Sequence, residues 1–330
     1  MRRAFAPGRV NLIGDHVDYA GGFVLPMAVQ LGTTVEVTEG GDTIRLRSDD
    51  DEAPVDLPLV VGNPASVEPR WGRYVAGVVA ELRPRRGAEG LVRTTLPIGA
   101  GLSSSASLEV AVALALGFEG TPLELALLCQ RAEQRASGVP CGIMDQLASA
   151  AGVAGNALLI DCTSNEVTPV PLPDDAEVVV VHSGQPRALA ASAYAERRAA
   201  VEAAAAAVGP LRTVSLDDLG GIADEVIRRR ARHVVTENAR TLEFAGALRA
   251  HDLSGAGRLM VESHHSLRDD FEVSTPALDA LVERLLATPG VHGARLTGAG
   301  FGGCAVALCD PGAAGEGWKL RPVAGARRSP

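Results

Sequence analysis

Over the first sixty residues, apolar positions come in short alternating runs. Glycines and polar clusters break them, which is the pattern of strands and turns. Val10, Leu12 and Ile13 read as a short buried strand, and a polar, acidic loop follows at Ser48–Glu52. Trp71–Leu82 reads as a helix that leads through a strand into a glycine- and serine-rich loop. Beyond it Leu108, Val112, Ala115 and Leu116 recur at helical spacing. A further helix is expected over Pro122–Ala136, with the proline in its first turn, where no backbone donor is missed. Strands are expected near Ala157–Asp161 and Val178–His182. From Ser192 the pattern turns helical, over Ser192–Val208, Ala223–Ala250, Asp252–Ser263 and Pro276–Ala287. The last two strands are placed at Ala294–Thr297 and Cys304–Leu308. No internal repeat is visible, and no linker is long enough to separate independent modules.

Composition narrows the class. A chain of 330 residues has room for two domains and a sizeable core, and 46% hydrophobic with 22% charged residues marks a globular protein. The net charge is −9, and the densest basic run, Arg228–Arg232, reads as a solvated helix face, so nucleic acid is not an expected partner. Five cysteines, at 129, 141, 162, 304 and 309, show neither CxxC nor metal-ligand spacing and read as buried, reduced thiols of a cytoplasmic protein. The N-terminus reads as running directly into the first strand, so no signal segment is expected. No apolar run approaches membrane-spanning length, so no membrane partner is expected, and no obligate protein partner is evident.

Candidate chemistry lies in four stretches. In GRVNLIGDHVDYAGG (Gly8–Gly22), Arg9, Asp15, His16 and Asp18 fall around glycine breaks in a turn after a strand. Ionised carboxylates there suit a polyhydroxylated ligand, because each accepts from more than one hydroxyl; a solvated turn whose Asp residues cap the backbone is the alternative. PIGAGLSSSASLEVA (Pro97–Ala111) runs a glycine loop into a helix start, where free N–H groups and the dipole attract an anion. It lacks the lysine of a Walker loop, and a plain serine-capped helix would look similar. LTGAGFGGCAVAL (Leu296–Leu308) allows close backbone approach, as any glycine turn would. In CQRAEQRASGVPCGIMDQLASAAG (Cys129–Gly152), Glu133 falls on a helix and Asp145 lies among apolar neighbours. A helix N-cap and a surface ion pair are the bland readings of these two acids.

Together these stretches resemble the motifs of the GHMP small-molecule kinases, and Gly8–Gly22 is similar to the galactokinase signature of that family. The resemblance spans roughly residues 3–325. It implies an α+β fold of two units. Residues 1–175 would form an N-terminal domain like domain 2 of ribosomal protein S5, binding sugar and phosphate. Residues 176–330 would form a ferredoxin-like C-terminal GHMP domain. The implied activity is ATP-dependent phosphorylation of galactose at the anomeric hydroxyl, giving α-galactose 1-phosphate, the entry to galactose catabolism. Asp145, in CGIMDQ, matches the family's catalytic base, with Arg9 beside it to stabilise the transferring phosphoryl group. Asp15, His16, Val17, Asp18, Gly142 and Tyr194 (in SAYAERR) match the sugar contacts. Gly99, Ala100, Gly101, Leu102, Ser103, Ser104 and Ser105 match the phosphate cradle, and Ser105 with Glu133 the Mg²⁺ ligands.

Four departures from the family stand out. Asp15 replaces a Glu that meets the sugar's 6-hydroxyl, and Val17 replaces a usual Thr. Arg187 stands where many relatives have His. Asp310–Gly317 is a short loop where relatives carry a helix. The shortened Asp15 keeps open a GHMP kinase acting on N-acetylgalactosamine, arabinose or a uronic acid. A sugar sensor without turnover is the remaining alternative, and the intact GLSSSAS, Arg9, Glu133 and Asp145 speak against it.

Overall fold

The computed structural model describes residues 1–97, 100–186 and 190–329. In chain order the elements are β1 Arg2–Asn11, β2 Phe23–Val24, β3 Pro26–Glu39, β4 Thr43–Ser48, β5 Val55–Pro58, α1 Gly72–Leu82, β6 Ala88–Thr94, α2 Ser104–Ala115, α3 Pro122–Ser137, α4 Met144–Ala151, β7 Asn156–Asp161, β8 Glu166–Pro171 and β9 Glu177–His182. Then come α5 Ala190–Val208, α6 Glu225–Arg249, α7 Leu253–Asp269, α8 Pro276–Leu286, β10 Val291–Thr297, β11 Cys304–Cys309, β12 Trp318–Leu320 and β13 Arg327–Ser329. Arg187 lies outside the described residues.

The strands form three sheets, in the orders β13-β1-β3-β6-β4-β5, β10-β11-β9-β12 and β2-β7-β8. All pairings are antiparallel except β4 with β6, so helices and a mixed sheet share the molecule as an α+β fold expects. The helix starts follow the sequence chemistry. Thr121 and Glu124 exchange side-chain and backbone hydrogen bonds in a capping box ahead of Pro122, and Thr275 caps the helix that opens with Pro276. Helix α2 is buried on nearly every side from Ala106 to Ala113, packed between the first sheet and α1, α3 and α4. Its small residues allow that close packing.

One correction to the pattern-based reading concerns the C-terminus. Cys304–Cys309 is not the last strand: β12 adds to β9, and β13 returns to pair with β1 in the first sheet. Three-residue strands rich in Arg and Lys carry no readable alternation, and a pre-existing sheet edge organises them. The stretch Asp310–Gly317 is a series of turns with no helix, as the sequence suggested. The apolar core runs across both halves: Val10, Leu12 and Met27 share one cluster with Val178, Phe244, Met260 and Val306.

Candidate active site

The site begins at an irregularity in β1. The β1–β3 register shifts between Pro7 and Arg9, beside Gly8. A Cβ on Gly8 would lie 2.5 Å from the Leu102 carbonyl, so only glycine lets the serine-rich loop press onto this strand. The Arg9 amide donates to that same carbonyl at 3.1 Å. The shift aims the Arg9 side chain, only 5% exposed, along the loop. Its Nη1 donates to the Gly101 carbonyl at 2.8 Å, and its Nε and Nη2 reach Asp145 Oδ1 at 2.7 and 2.6 Å. Asp145 stands in the first turn of α4, whose N-cap is Ile143, so it is not the capping residue. Its second oxygen accepts from the Ser103 hydroxyl at 2.5 Å. One carboxylate is thus paired with a guanidinium 136 residues away and a hydroxyl 42 residues away. Ser103 is in the left-handed conformation at φ 57°, its side chain makes no helix-capping bond, and its hydroxyl is turned to the acid.

A cavity of about 260 Å³ opens beside Asp145 and is lined by Arg9, Asp15, His16, Asp18, Gly142 and Tyr194, together with Cys141 and Ala299. Of the expected sugar residues only Val17 is not brought to its wall; that side chain is fully buried in the core. Burial, followed by the nearby Asp145 charge, raises the Asp18 carboxyl to about 6. Gly142 is needed there, since a Cβ would fall on the Asp18 carboxylate. Burial lowers His16 to about 4, so the ring is neutral. Its Nε2 lies 3.2 Å from the Ala299 carbonyl, which can only accept, so the proton is on Nε2 and Nδ1 faces the Tyr19 hydroxyl at 3.3 Å. Tyr194 reaches the cavity from α5. That helix is tied down one turn later by Arg197 on the Phe271 carbonyl at 2.8 Å and by Arg198 on the Pro140 carbonyl. Asp15 is 2% exposed; its Oδ2 meets Arg295 Nη2 at 2.5 Å and its Oδ1 accepts from the Gly298 amide at 3.0 Å. Sequence reasoning missed Arg295, a charged residue in a strand whose neighbours Ala294 and Leu296 are equally buried.

A second cavity, of about 770 Å³, lies across Arg9 and Asp145 from the first. Gly101, Leu102, Ser103, Ser104 and Ser105 form one wall, with Arg70, His182 and Pro186 also lining it. Ala100 is buried beneath the loop, and Gly99 lies outside the described residues. The first helical amide bond of α2 runs from Ser107 to Ser103, which leaves the preceding N–H groups free for an anion. A neighbouring cavity of about 300 Å³ brings Trp71 and Tyr74 beside Ser104 and Ser105. Neither aromatic was singled out from the sequence, although the chain has only 2 Trp and 3 Tyr, and aromatic side chains beside an anion loop are a signal for a planar base.

Ser105 and Glu133, 28 residues apart, meet at 2.9 Å between Oγ and Oε1. The other Glu133 oxygen accepts from Gln146, whose amide nitrogen also lies 3.3 Å from the buried Glu109. Burial, then the Asp145 charge, raises Glu133 to about 7. Among the described residues no group of three His, Cys, Asp or Glu side chains could cage a metal. One hydroxyl and one carboxylate fit Mg²⁺, which keeps waters and takes phosphate oxygens for most of its shell.

The chain is similar to known proteins over most of its length. A model of the galactokinase galactose-binding signature matches residues 2–39, a GHMP kinase N-terminal domain model residues 73–153, and a GHMP kinase C-terminal model residues 244–318. Galactokinase from Homo sapiens is 47% identical over 329 residues, covering 94% of this chain and 84% of its own length. Galactokinase from Chloroflexus aggregans is 45% identical, with 94% and 84% covered. The crystal structure of Lactococcus lactis galactokinase complexed with galactose superposes with a TM-score of 0.92 at 33% identity, over 99% of this chain and 94% of that one. A mevalonate kinase structure at 20% identity and a TM-score of 0.68, covering 98% and 99%, shares the fold. Among the described residues no helix is long and apolar enough to cross a membrane.

Proposed function

The chain belongs to the galactokinase family of the GHMP kinases, and from that premise we propose that it transfers the γ-phosphoryl group of ATP to the anomeric hydroxyl of galactose. The observation that carries the reading is the shared wall: Arg9 and Asp145 line both the hydroxyl-binding cavity and the phosphate cavity. A sugar hydroxyl in the first and a terminal phosphate in the second would meet at this pair. Asp145 accepts the proton of the anomeric hydroxyl as its oxygen bonds to the γ-phosphorus. The bond from that phosphorus to the β–γ bridging oxygen breaks, and ADP leaves. The Arg9 guanidinium, already at the junction, meets the charge that develops on the transferring group. Positioning supplies much of the rate when the transition state is loose.

Asp15, His16, Asp18, Gly142 and Tyr194 hold the sugar; the Gly99–Ser105 loop and the α2 N-terminus hold the phosphates. The Val17 side chain is left out, because it lies in the core. Trp71 and Tyr74 flank the base. Ser105 and Glu133 would hold Mg²⁺, which would neutralise phosphate charge during transfer. Residues 1–175 supply most of both cavities, and residues 176–330 close them with Tyr194, Ala299 and His182. Five free cysteines, none fully exposed, suit a reducing cytoplasm.

The shortened Asp15, drawn onto Arg295, favours one second reading, a GHMP kinase for another sugar. ATP consumption measured across galactose, N-acetylgalactosamine, arabinose and galacturonic acid decides between them. Galactose is expected to give the highest kcat/KM; a different preferred sugar overturns galactose and leaves the kinase reading.

A further inference from the structure

Helix α6 touches the sugar site only from behind. Four residues on one face of it, His233, Glu237, Asn238 and Thr241, are buried, three of them completely. Glu237 lines neither the sugar cavity nor the phosphate cavity. Its Oε1 accepts from the Gly14 amide at 3.0 Å and from the Ser263 hydroxyl at 2.5 Å, and its Oε2 accepts from Arg240 at 2.8 Å. Burial raises this carboxyl, but Arg240 and its other partners outweigh that and bring it down to about 2, so it stays charged.

One turn earlier, His233 Nε2 lies 3.1 Å from the Asp15 carbonyl oxygen, to which it donates. On the following turn Asn238 accepts from the Phe23 amide at 2.9 Å. The loop so held is one that cannot relax easily. Gly14 has φ +93°, and a Cβ there would lie 2.7 Å from the Phe23 carbonyl. An ionised carboxylate placed in the interior is costly unless its partners are well arranged, and here one of them is a loop amide one peptide away from Asp15.

We propose that Glu237 is a positioning residue for the sugar: through the Gly14 amide it holds Asp15 against Arg295 and His16 at the cavity wall, and so sets sugar affinity without touching the ligand. The proposal rests on the sugar-kinase reading. Asp15 and Arg295 meet across 280 residues, so their pairing needs the Gly14–Asp15 backbone at a fixed height above β10. Freed from Glu237, that backbone can shift, and both Asp15 and His16 leave their places while the phosphate loop, on β1 and α2, keeps its own.

The test compares Glu237→Ala and Glu237→Gln with the native chain. Losing a hydrogen bond to a charged acceptor should raise the galactose KM and calorimetric Kd about tenfold or more in Glu237→Ala. The KM for ATP and kcat should stay within about threefold. Glu237→Gln should recover most of the sugar affinity, because its amide oxygen still accepts from Gly14. If the alanine variant does not fold, hydrogen exchange in Glu237→Asp decides, because the shorter side chain draws the acceptor back from the Gly14 amide: amides of 14–17 should exchange faster than native, with those of α2 unchanged. Equal increases in both KM values, unchanged sugar affinity in a folded alanine variant, or native exchange at 14–17 in the aspartate variant would each overturn the proposal. Should native protein fail to phosphorylate galactose, the proposed substrate falls. The exchange readout, and the Kd of whichever sugar binds, still judge Glu237.

Discussion

At the scale of single residues the sugar cavity is an arrangement of two carboxyls in unlike surroundings. Asp15 is locked between Arg295 and the Gly298 amide, whereas Asp18 has burial and a neighbouring Asp145 charge working against its ionisation. As a proposed sugar contact, an ionised Asp18 would accept from sugar hydroxyls, and its protonated form would accept less. Because its carboxyl titrates near 6, kcat/KM for galactose should fall about tenfold per unit as pH drops below that value. Asp18→Asn should lower the plateau and remove this limb. A native profile flat down to pH 5 would show that Asp18 does not read the sugar in its charged form. Asp15 bears on specificity. It is one methylene shorter than Glu, about 1.5 Å less reach, and Arg295 draws it toward the interior. The 6-hydroxyl contact should therefore be loose, so that 6-deoxygalactose is tolerated better than after Asp15→Glu. The ratio of the two kcat/KM values, measured in both proteins, checks this; an unchanged ratio would mean that position 15 does not read that hydroxyl.

At the scale of elements, the starts of α2 and α4 converge with the C-terminal part of α3. The first turn of α2 carries Ser105, α3 brings Glu133 to Ser105, and α4 brings Asp145 to Arg9. Ser105→Ala and Glu133→Gln should each raise the Mg²⁺ concentration needed for half-maximal rate, with partial recovery at high Mg²⁺ for at least one. Native magnesium dependence in both variants would remove both from the metal. Of these elements α2 and α3 were legible from the sequence, because glycines, prolines and serines mark their ends and motif residues cluster there, whereas Met144–Ala151 carried no helix expectation of its own. Arg295, Gln146 and Glu109 were not, for a physical reason. They sit in elements covered on all sides, where polar and apolar positions no longer alternate, so nothing in the pattern distinguishes a buried polar residue from a solvated one. Val17 shows the converse: a motif position next to cavity-lining residues whose side chain packs into the core. The strands β12 and β13 went unseen because partners far away in the chain define them.

At the scale of the whole molecule, two halves share apolar core and active site. Val10 and Leu12 from the first strand region pack with Phe244 and Val306 from the C-terminal half, and β13 closes onto β1. The halves should therefore unfold together, in one thermal transition that galactose and Mg²⁺-ATP both raise. Two resolved transitions, one of them insensitive to sugar, would show that the halves are independent. The chain's acidity does not hinder nucleotide binding, because the phosphate cavity carries Arg9, Arg70 and the α2 N-terminus on its walls.

All of this converges on Asp145 at the junction of two cavities, and one comparison tests it most directly. Native protein and Asp145→Asn are incubated with galactose and Mg²⁺-ATP, products are followed by phosphorus NMR, and galactose Kd is measured by calorimetry. Native protein should yield α-galactose 1-phosphate. The asparagine keeps the shape of the carboxylate but cannot take the proton, so product should form about 10²–10⁴ times more slowly, with sugar affinity within about threefold. Phosphate on any other hydroxyl of the sugar, or turnover by Asp145→Asn within about threefold of native, would contradict the account.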